Sequence, residues 1–314
     1  MLRRTARLAF LLALPTAAVG EDATIRGVGR VVPLGVVDTG RGFLEGPAAG
    51  PDGALYFTDI PRSQILRLPT PAASPPGPVE VFAENSRHAN GLMFNAAGEM
   101  VACEMDGRLV AWDTRAKTRR VLASSFDGIR FNAPNDLVID RSGGVYFTDP
   151  RFRAPQPLPQ GGQAVFYVPG GGEPRRLVRD LPAPNGILIS PDERTLYVFP
   201  TDSPSLRAYE VKAPGELGAG RELCRLTDAS GRGLRGADGA TIDERGNLYV
   251  TCPLGVQVIS PAGDKLGVIP CPEKPANATF VGNRLYVTAR TSLYAYQLSV
   301  SGHRYPAGKA VAKE

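Results

Sequence analysis

Short runs in which apolar and polar residues alternate recur along this chain, each bounded by Gly, Pro, Asn or Asp, and almost no long stretch has the 3.6-residue spacing of an amphipathic helix. The pattern predicts β-strands, and it predicts them in pairs. Around Glu45 the text is "LEGPAAGPDGALYFTD", around Asn135 "APNDLVIDRSGGVYFTDP" and around Asp238 "GADGATIDERGNLYVTC". In each, a polar residue opens an apolar strand, a Gly-containing turn follows, and a Tyr stands 11 positions after the polar residue (Tyr56, Tyr146, Tyr249).

Three further stretches fit the same frame: "HANGLMFNAAGEMVACE" at Asn90, "APNGILISPDERTLYVFP" at Asn185 and "PANATFVGNRLYVTA" at Asn277. The six polar positions are separated by 39 to 53 residues, at or near the repeat length of propeller blades. Each unit is followed by more strand candidates, such as "SQILRLP", "GRLVAWD", "AVFYVPG" and "SLYAYQL". Six copies of short strands with Gly-rich turns predict an all-β fold, a six-bladed β-propeller over residues 31–298. The segment "GRVVPLGVVDTG" precedes the first unit without a partner of its own, and is expected to supply the outer strand of the last blade. Residues 21–30, as an N-terminal extension, and the polar tail 299–314 are expected at the periphery.

In a propeller the innermost strand of every blade lines the central channel, so one repeat position converges at one height around the axis. Here that position reads Glu45, Asn90, Asn135, Asn185, Asp238, Asn277. Six oxygen-bearing side chains aimed at one point are costly unless paired. A hard divalent cation offsets that cost, because carboxylate and amide oxygens are the ligands Ca2+ prefers, and Glu45 and Asp238 would balance its charge. Zinc is disfavoured by two His and no clustered Cys. The plainer alternative is that Asn-Gly and Asp-Gly mark turns only. Against it, each unit already has its hairpin turn some eight residues later, and Glu45 holds the position without being a turn former.

Composition changes this picture little. The 314 residues are 43% apolar, enough for a large core. The first twenty, "MLRRTARLAFLLALPTAAVG", have a basic start, a short apolar run and a small-residue end, and are expected to be a cleaved export signal, with a periplasmic or secreted product and no membrane anchor. Arg3-Arg4 leaves a twin-arginine route open. Cleavage removes Arg3, Arg4 and Arg7, three of the five net positive charges, so the mature chain has no nucleic-acid footprint. Cys103, Cys224, Cys252 and Cys271 show no C-x-x-C spacing, and a buried free thiol is expected at Cys103 and Cys252. A closed propeller has few free strand edges, so a monomer is expected.

The residues "EGP", "RFNAPNDLVID", "GGVYFTDP", "APNGI", "GADGATID", "GNLYV" and "LYVTARTSLYAYQL" together resemble the gluconolactonase, regucalcin (senescence marker protein) and strictosidine-synthase-like propeller superfamily, and most closely its bacterial gluconolactonase-type lactonases. The resemblance implies a propeller with one catalytic divalent metal, usually Ca2+, in the central channel, and hydrolysis of small lactones such as sugar lactones. It places metal ligands at Glu45, Asn135, Asn185 and Asp238, makes Asp238 the general base for an attacking water, and offers Asp136 as a further ligand. Asn90 and Asn277 match the frame without being general family ligands, and stand as supporting or substrate-contacting groups.

His88, two residues before a ring position, is a candidate substrate hydrogen bond or proton relay, with a structural loop histidine as the alternative. His303, in the tail, is expected to play no part. Asp59 and Asp149 close two "YFTD" strands and are expected to serve hydrogen bonding rather than catalysis. Two other functions fit the same ring: a phosphotriesterase-like hydrolase on the same metal, and a non-catalytic ligand-binding propeller with a structural metal.

Overall fold

The computed structural model describes residues 22–179 and 181–305; the expected export signal and the end of the tail lie outside them. Among the described residues there is no helix, and the strands form six antiparallel sheets in succession. The first blade runs Leu44–Ala49, Leu55–Asp59, Gln64–Leu68, Glu80–Ala83, and four more repeat that order, with inner strands Ala89–Phe94, Leu137–Ile139, Pro184–Ile189 and Ala240–Ile242. The second strands, such as Leu55–Asp59, Val145–Asp149 and Leu248–Cys252, are buried along their whole length. They are covered on both faces by neighbouring blades, which is why they are near-continuous apolar runs. Outer strands such as Arg175–Arg179 face solvent and carry the charge.

The core lies between blades rather than within them. Tyr56, Phe82, Phe94 and Trp112 fill the gap between the first two, and Phe131, Phe147 and Phe166 pack with Val101 and Leu109 between the next two. The ring closes on the sixth blade. Its strands Pro275–Val281, Arg284–Ala289 and Ser292–Leu298 are completed by Gly29–Asp38, which pairs Val31 with Leu298 and Val36 with Tyr294. The start and the end of the propeller thus share a sheet, and no open edge remains between them.

The two flanks differ from the expectation of peripheral segments. Ala23–Ile25 adds a fifth strand to the closing sheet, and Ile25 and Val28 are buried in the core between the last two blades. Residues 299–305 cross the far face of the ring: Gly302 donates to the Gly282 carbonyl (2.9 Å), His303 to Ile242 (2.9 Å), and the Tyr305 hydroxyl to Ile189 (2.8 Å). The apolar Val300 and Tyr305 within an otherwise polar tail explain the docking. A short hairpin, Ser125–Phe126 with Ile129–Arg130, also stands between the second and third blades.

Two devices bring the inner strands together at the axis. The first is the glycine that follows four of the six polar positions. Gly91 donates to the Asn135 carbonyl (2.8 Å), Gly186 to Asp238 (3.1 Å) and Gly239 to Ala276 (2.7 Å), so one blade's inner strand bonds the next. A Cβ on Gly186 would stand 2.4 Å from the Asp238 carbonyl oxygen, and one on Gly239 2.0 Å from Asn277 Cγ. The Asn-Gly and Asp-Gly pairs are therefore close approaches and not hairpins. The second is a buried threonine in the second strand of the preceding blade: Thr58 donates to the Asn90 carbonyl (3.2 Å), Thr148 to Asn185 (2.8 Å) and Thr251 to Ala276 (2.7 Å), while Thr288 makes the matching bond to Asn277 (3.2 Å) within the sixth blade. Asp59 and Asp149 clamp the incoming loops, Asp149 through the amides of Asn132 and Ala133 (both 2.8 Å).

Gly186→Ala is expected to lower unfolding free energy by roughly 1–3 kcal/mol in denaturant titrations, since the backbone atoms it meets cannot swing aside. Gly162→Ala, which meets nothing within 4 Å, should lie within about 0.5 kcal/mol of wild type.

Candidate active site

All six ring positions reach the axis. Glu45, Asn90, Asn135, Asn185 and Asn277 are buried, at 3–5% exposure, while Asp238 keeps partial access to solvent from deep within the protein. Asn185 Nδ2 donates to Asp238 Oδ1 (2.6 Å) and to Thr201 Oγ1 (3.0 Å), joining adjacent blades. Asn277 Nδ2 lies 3.4 Å from Asp136 Oδ2, a bridge between blades on opposite sides of the ring. Asp136 also accepts from the Leu137 amide (2.9 Å), and the missing Cβ of Gly91 leaves the room its carboxylate occupies.

The electrostatics are those of trapped acids. Burial pushes the carboxyls of Asp136 and Asp238 up to about 7. Burial also lifts Glu45 well above the ordinary carboxylate range, and the charges of Asp238 and Asp136 lift it further, against hydrogen bonding from the Gly46 amide and the Asn277 side chain. Among the described residues no Arg or Lys hydrogen-bonds to any of the three. Lys274 is the cation whose charge draws Asp238 back down.

Among the described residues, no group of three His, Cys, Asp or Glu side chains holds a metal unaided. The donor set here is mixed, and its amides fit a hard cation: Asn90 Oδ1 is buried without a hydrogen-bond partner, and Glu45, Asp136 and Asp238 offer oxygen alone. As placed, the Asn185 amide turns its nitrogen to Asp238, so to act as an oxygen donor it must turn over.

His88 lies off the axis. Its ring is half-buried and its Nδ1 is 3.1 Å from Asp106 Oδ1. The mouth above the ring has an apolar side, where Ile60, Met105 and Ala133 cluster with Phe152. Met105 Sδ is 3.9 Å from Asn90 Nδ2. Below the Asp136–Asn277 bridge is a cavity of about 450 Å3, walled by Leu92, Phe94, Val138, Ile187 and Phe280 and reaching His303 and Tyr305. His303, expected to play no part, therefore lines the channel, although at the end away from the mouth. Sequence reasoning also missed Lys274 and the cross-axis role of Asp136; the repeated glycine after the polar position was the one available signal for the axis. All four cysteines are free thiols, with Cys103 and Cys252 buried.

The model of the SMP-30/gluconolactonase/LRE-like region matches residues 43–291. The gluconolactonase of Zymomonas mobilis is 31% identical over 262 residues, 76% of this chain and 72% of that protein. A gluconolactonase structure from Xanthomonas campestris, 27% identical, superposes with a TM-score of 0.76 over 90% of this chain and 91% of its own. The calcium-binding protein regucalcin of Agrobacterium tumefaciens, at 21% identity, has the same fold, with a TM-score of 0.71 over 88% of this chain and 95% of its own. The family match runs through all six inner strands and every ring residue, and the chain belongs to the SMP-30/gluconolactonase/LRE-like family.

Proposed function

We propose that this protein is a divalent-cation-dependent lactonase, with Ca2+ the preferred ion, that opens small lactones such as sugar lactones. One observation carries the reading: three carboxyls held deep in the protein, Glu45, Asp136 and Asp238, converge with the side-chain amides of the ring at the axis, with no cationic side chain among the described residues bonded to them and the Asn90 Oδ1 left without a partner. Kinship with gluconolactonases supports lactone as the substrate class. Glu45, Asn135, Asn185 and Asp238 would hold the ion, with Asp136 beside them. A bound divalent cation supplies Lewis-acid polarisation of an ester carbonyl and charge for the developing oxyanion.

The chain's own groups do the rest. Asp238, partly open to solvent, takes a proton from the attacking water. Asn90, with its free Oδ1, and Asn277 lie where a substrate hydroxyl can be held. His88 is kept upright by Asp106 at the mouth. The apolar Ile60, Met105 and Phe152 exclude water from one side. We assign the protein to the periplasm or exterior, on the strength of residues 1–20, and expect a monomer.

Asp238→Asn is expected to lower kcat for an aldonolactone by roughly a hundred- to ten-thousand-fold, with the melting temperature near wild type. EDTA should abolish turnover and Ca2+ restore it. A protein whose stability rises with Ca2+ yet turns over no lactone would sink the reading and leave a ligand-binding propeller.

Stability should respond to pH in a manner that the cation reverses. In the fold Asp136 and Asp238 hold protons up to about 7, whereas an unfolded chain releases them at about 3.9. The fold binds more protons across that window, so the melting temperature in EDTA should fall as pH rises from about 4 to about 7. With millimolar Ca2+, which needs the carboxylates ionised, it should hold level or rise over the same range. A metal-free protein that gains stability from about pH 4 to about pH 7 would contradict the trapped-acid description.

A further inference from the structure

We infer that the preferred lactone carries a negative charge of its own, a carboxylate or phosphate beyond the ester ring, and that Lys274 recognises it. The inference rests on the lactonase reading above and narrows its substrate class. Strand order delivers to the mouth face every link between blades and every turn between second and third strands, including residues 150–163, 226–237, 270–274 and 290–291. The acids on that face are mostly committed. Asp59 and Asp149 hold backbone amides, Glu104 is paired with Arg108 and Arg119, and Asp202 is paired with Arg151. Asp127, at the tip of the hairpin before the third blade, is left without a hydrogen-bond partner among the described residues.

The cations are less committed. Lys274, Arg153, Arg235 and Arg290 lie on these links, and none has a carboxylate partner among the described residues. Lys274 is the best placed. Its Nζ is 4.0 Å from where a Cβ of Gly236 would stand, two residues before Asp238, and its charge reaches the Asp238 carboxyl.

The loop that presents Lys274 is fixed, and its neighbouring acid cannot neutralise it. The Glu273 carboxylate accepts from the Thr291 amide (3.1 Å), the Tyr294 hydroxyl (2.9 Å) and the Ser292 hydroxyl, and the Pro270 carbonyl accepts from Tyr296 (2.9 Å). An exposed ammonium is thus presented beside Gly236, on the link that leads to Asp238, by a loop anchored at both ends. Across the mouth stand Ile60, Met105 and Phe152. The opening carries an apolar patch toward the first three blades, and three of the four unpaired cations, Arg235, Lys274 and Arg290, stand on the links of the later blades. A cleft whose unpaired charges are predominantly of one sign over low-dielectric walls concentrates ligands of the opposite sign. An ammonium contact to a carboxylate or phosphate is worth roughly a ten- to hundred-fold preference.

The test compares kcat/KM of the Ca2+-loaded protein, from residue 21 onward, on three lactones: an uncharged aldonolactone, an aldarolactone with one free carboxylate, and a phosphorylated aldonolactone. Wild type should favour one or both charged lactones by about ten-fold or more, and the preference should shrink as ionic strength rises from about 0.01 to about 0.5 M. In Lys274→Met the ratio of charged to uncharged kcat/KM should fall by about ten-fold, and in Lys274→Glu it should invert; a ratio cancels any general loss of activity. Preference for the phosphorylated lactone alone identifies phosphate as the recognised group, and preference for both identifies the shared negative charge. Equal turnover of all three, or a ratio unmoved by both variants, overturns the inference and leaves the lactonase reading intact. No turnover of any of the three overturns both. Should the variants not fold, the charge preference and salt dependence of wild type decide alone.

Discussion

The constraint on which this structure turns is the convergence of carboxyl groups at an axis where, among the described residues, no cationic side chain is bonded to them. Glu45, Asp136 and Asp238 are brought together by strands of three different blades, and each is driven toward its protonated form by burial. Such an arrangement is a cost to folding unless something outside the chain neutralises it. Natural cores avoid that cost when they can, so its presence here is the physical argument for a site. It also explains why the axis is built so firmly. The amides of glycines 91, 186 and 239 bond inner strand to inner strand, and the hydroxyls of threonines 58, 148 and 251 tie the second strand of one blade to the inner strand of the next, where charge repulsion cannot loosen them.

Much of this was legible in the sequence because a propeller repeats. The six polar positions, the strand-turn-strand frame and the closing role of Gly29–Asp38 follow from period and alternation, which depend on local geometry that every blade shares. What was not legible breaks the repeat. Asp136 replaces the glycine found after Glu45, Asn90, Asn185 and Asp238, and only the ring's closure shows that it faces Asn277 across the axis. The docking of Val300 to Tyr305 on the far face is a tertiary contact with no period to announce it. His303 was set aside for lying in a polar tail, yet the tail's path carries it to the channel. Lys274 carries no signal in the sequence; its significance lies in Glu273 being turned away to Thr291, Ser292 and Tyr294.

The same contrast divides chemistry from selection. Groups on the inner strands are fixed by bonds between blades, and their spacing is a property of the ring. Groups on the mouth are carried by links of unequal length, from the short turn at Arg290 and Thr291 to the longer stretch from Arg151 through Gln163, and each link is free to vary without disturbing the ring. A reaction that needs only a cation, a carboxylate and a water can therefore be kept while the substrate changes. In this chain the links have set an apolar patch against an ammonium on an anchored loop, and the ring has left its most solvent-accessible carboxyl, Asp238, on the ammonium's side. A bound molecule oriented by those two surfaces would present its ester toward Asp238, which is where a water-activating carboxylate has to be for the ring chemistry to act on it.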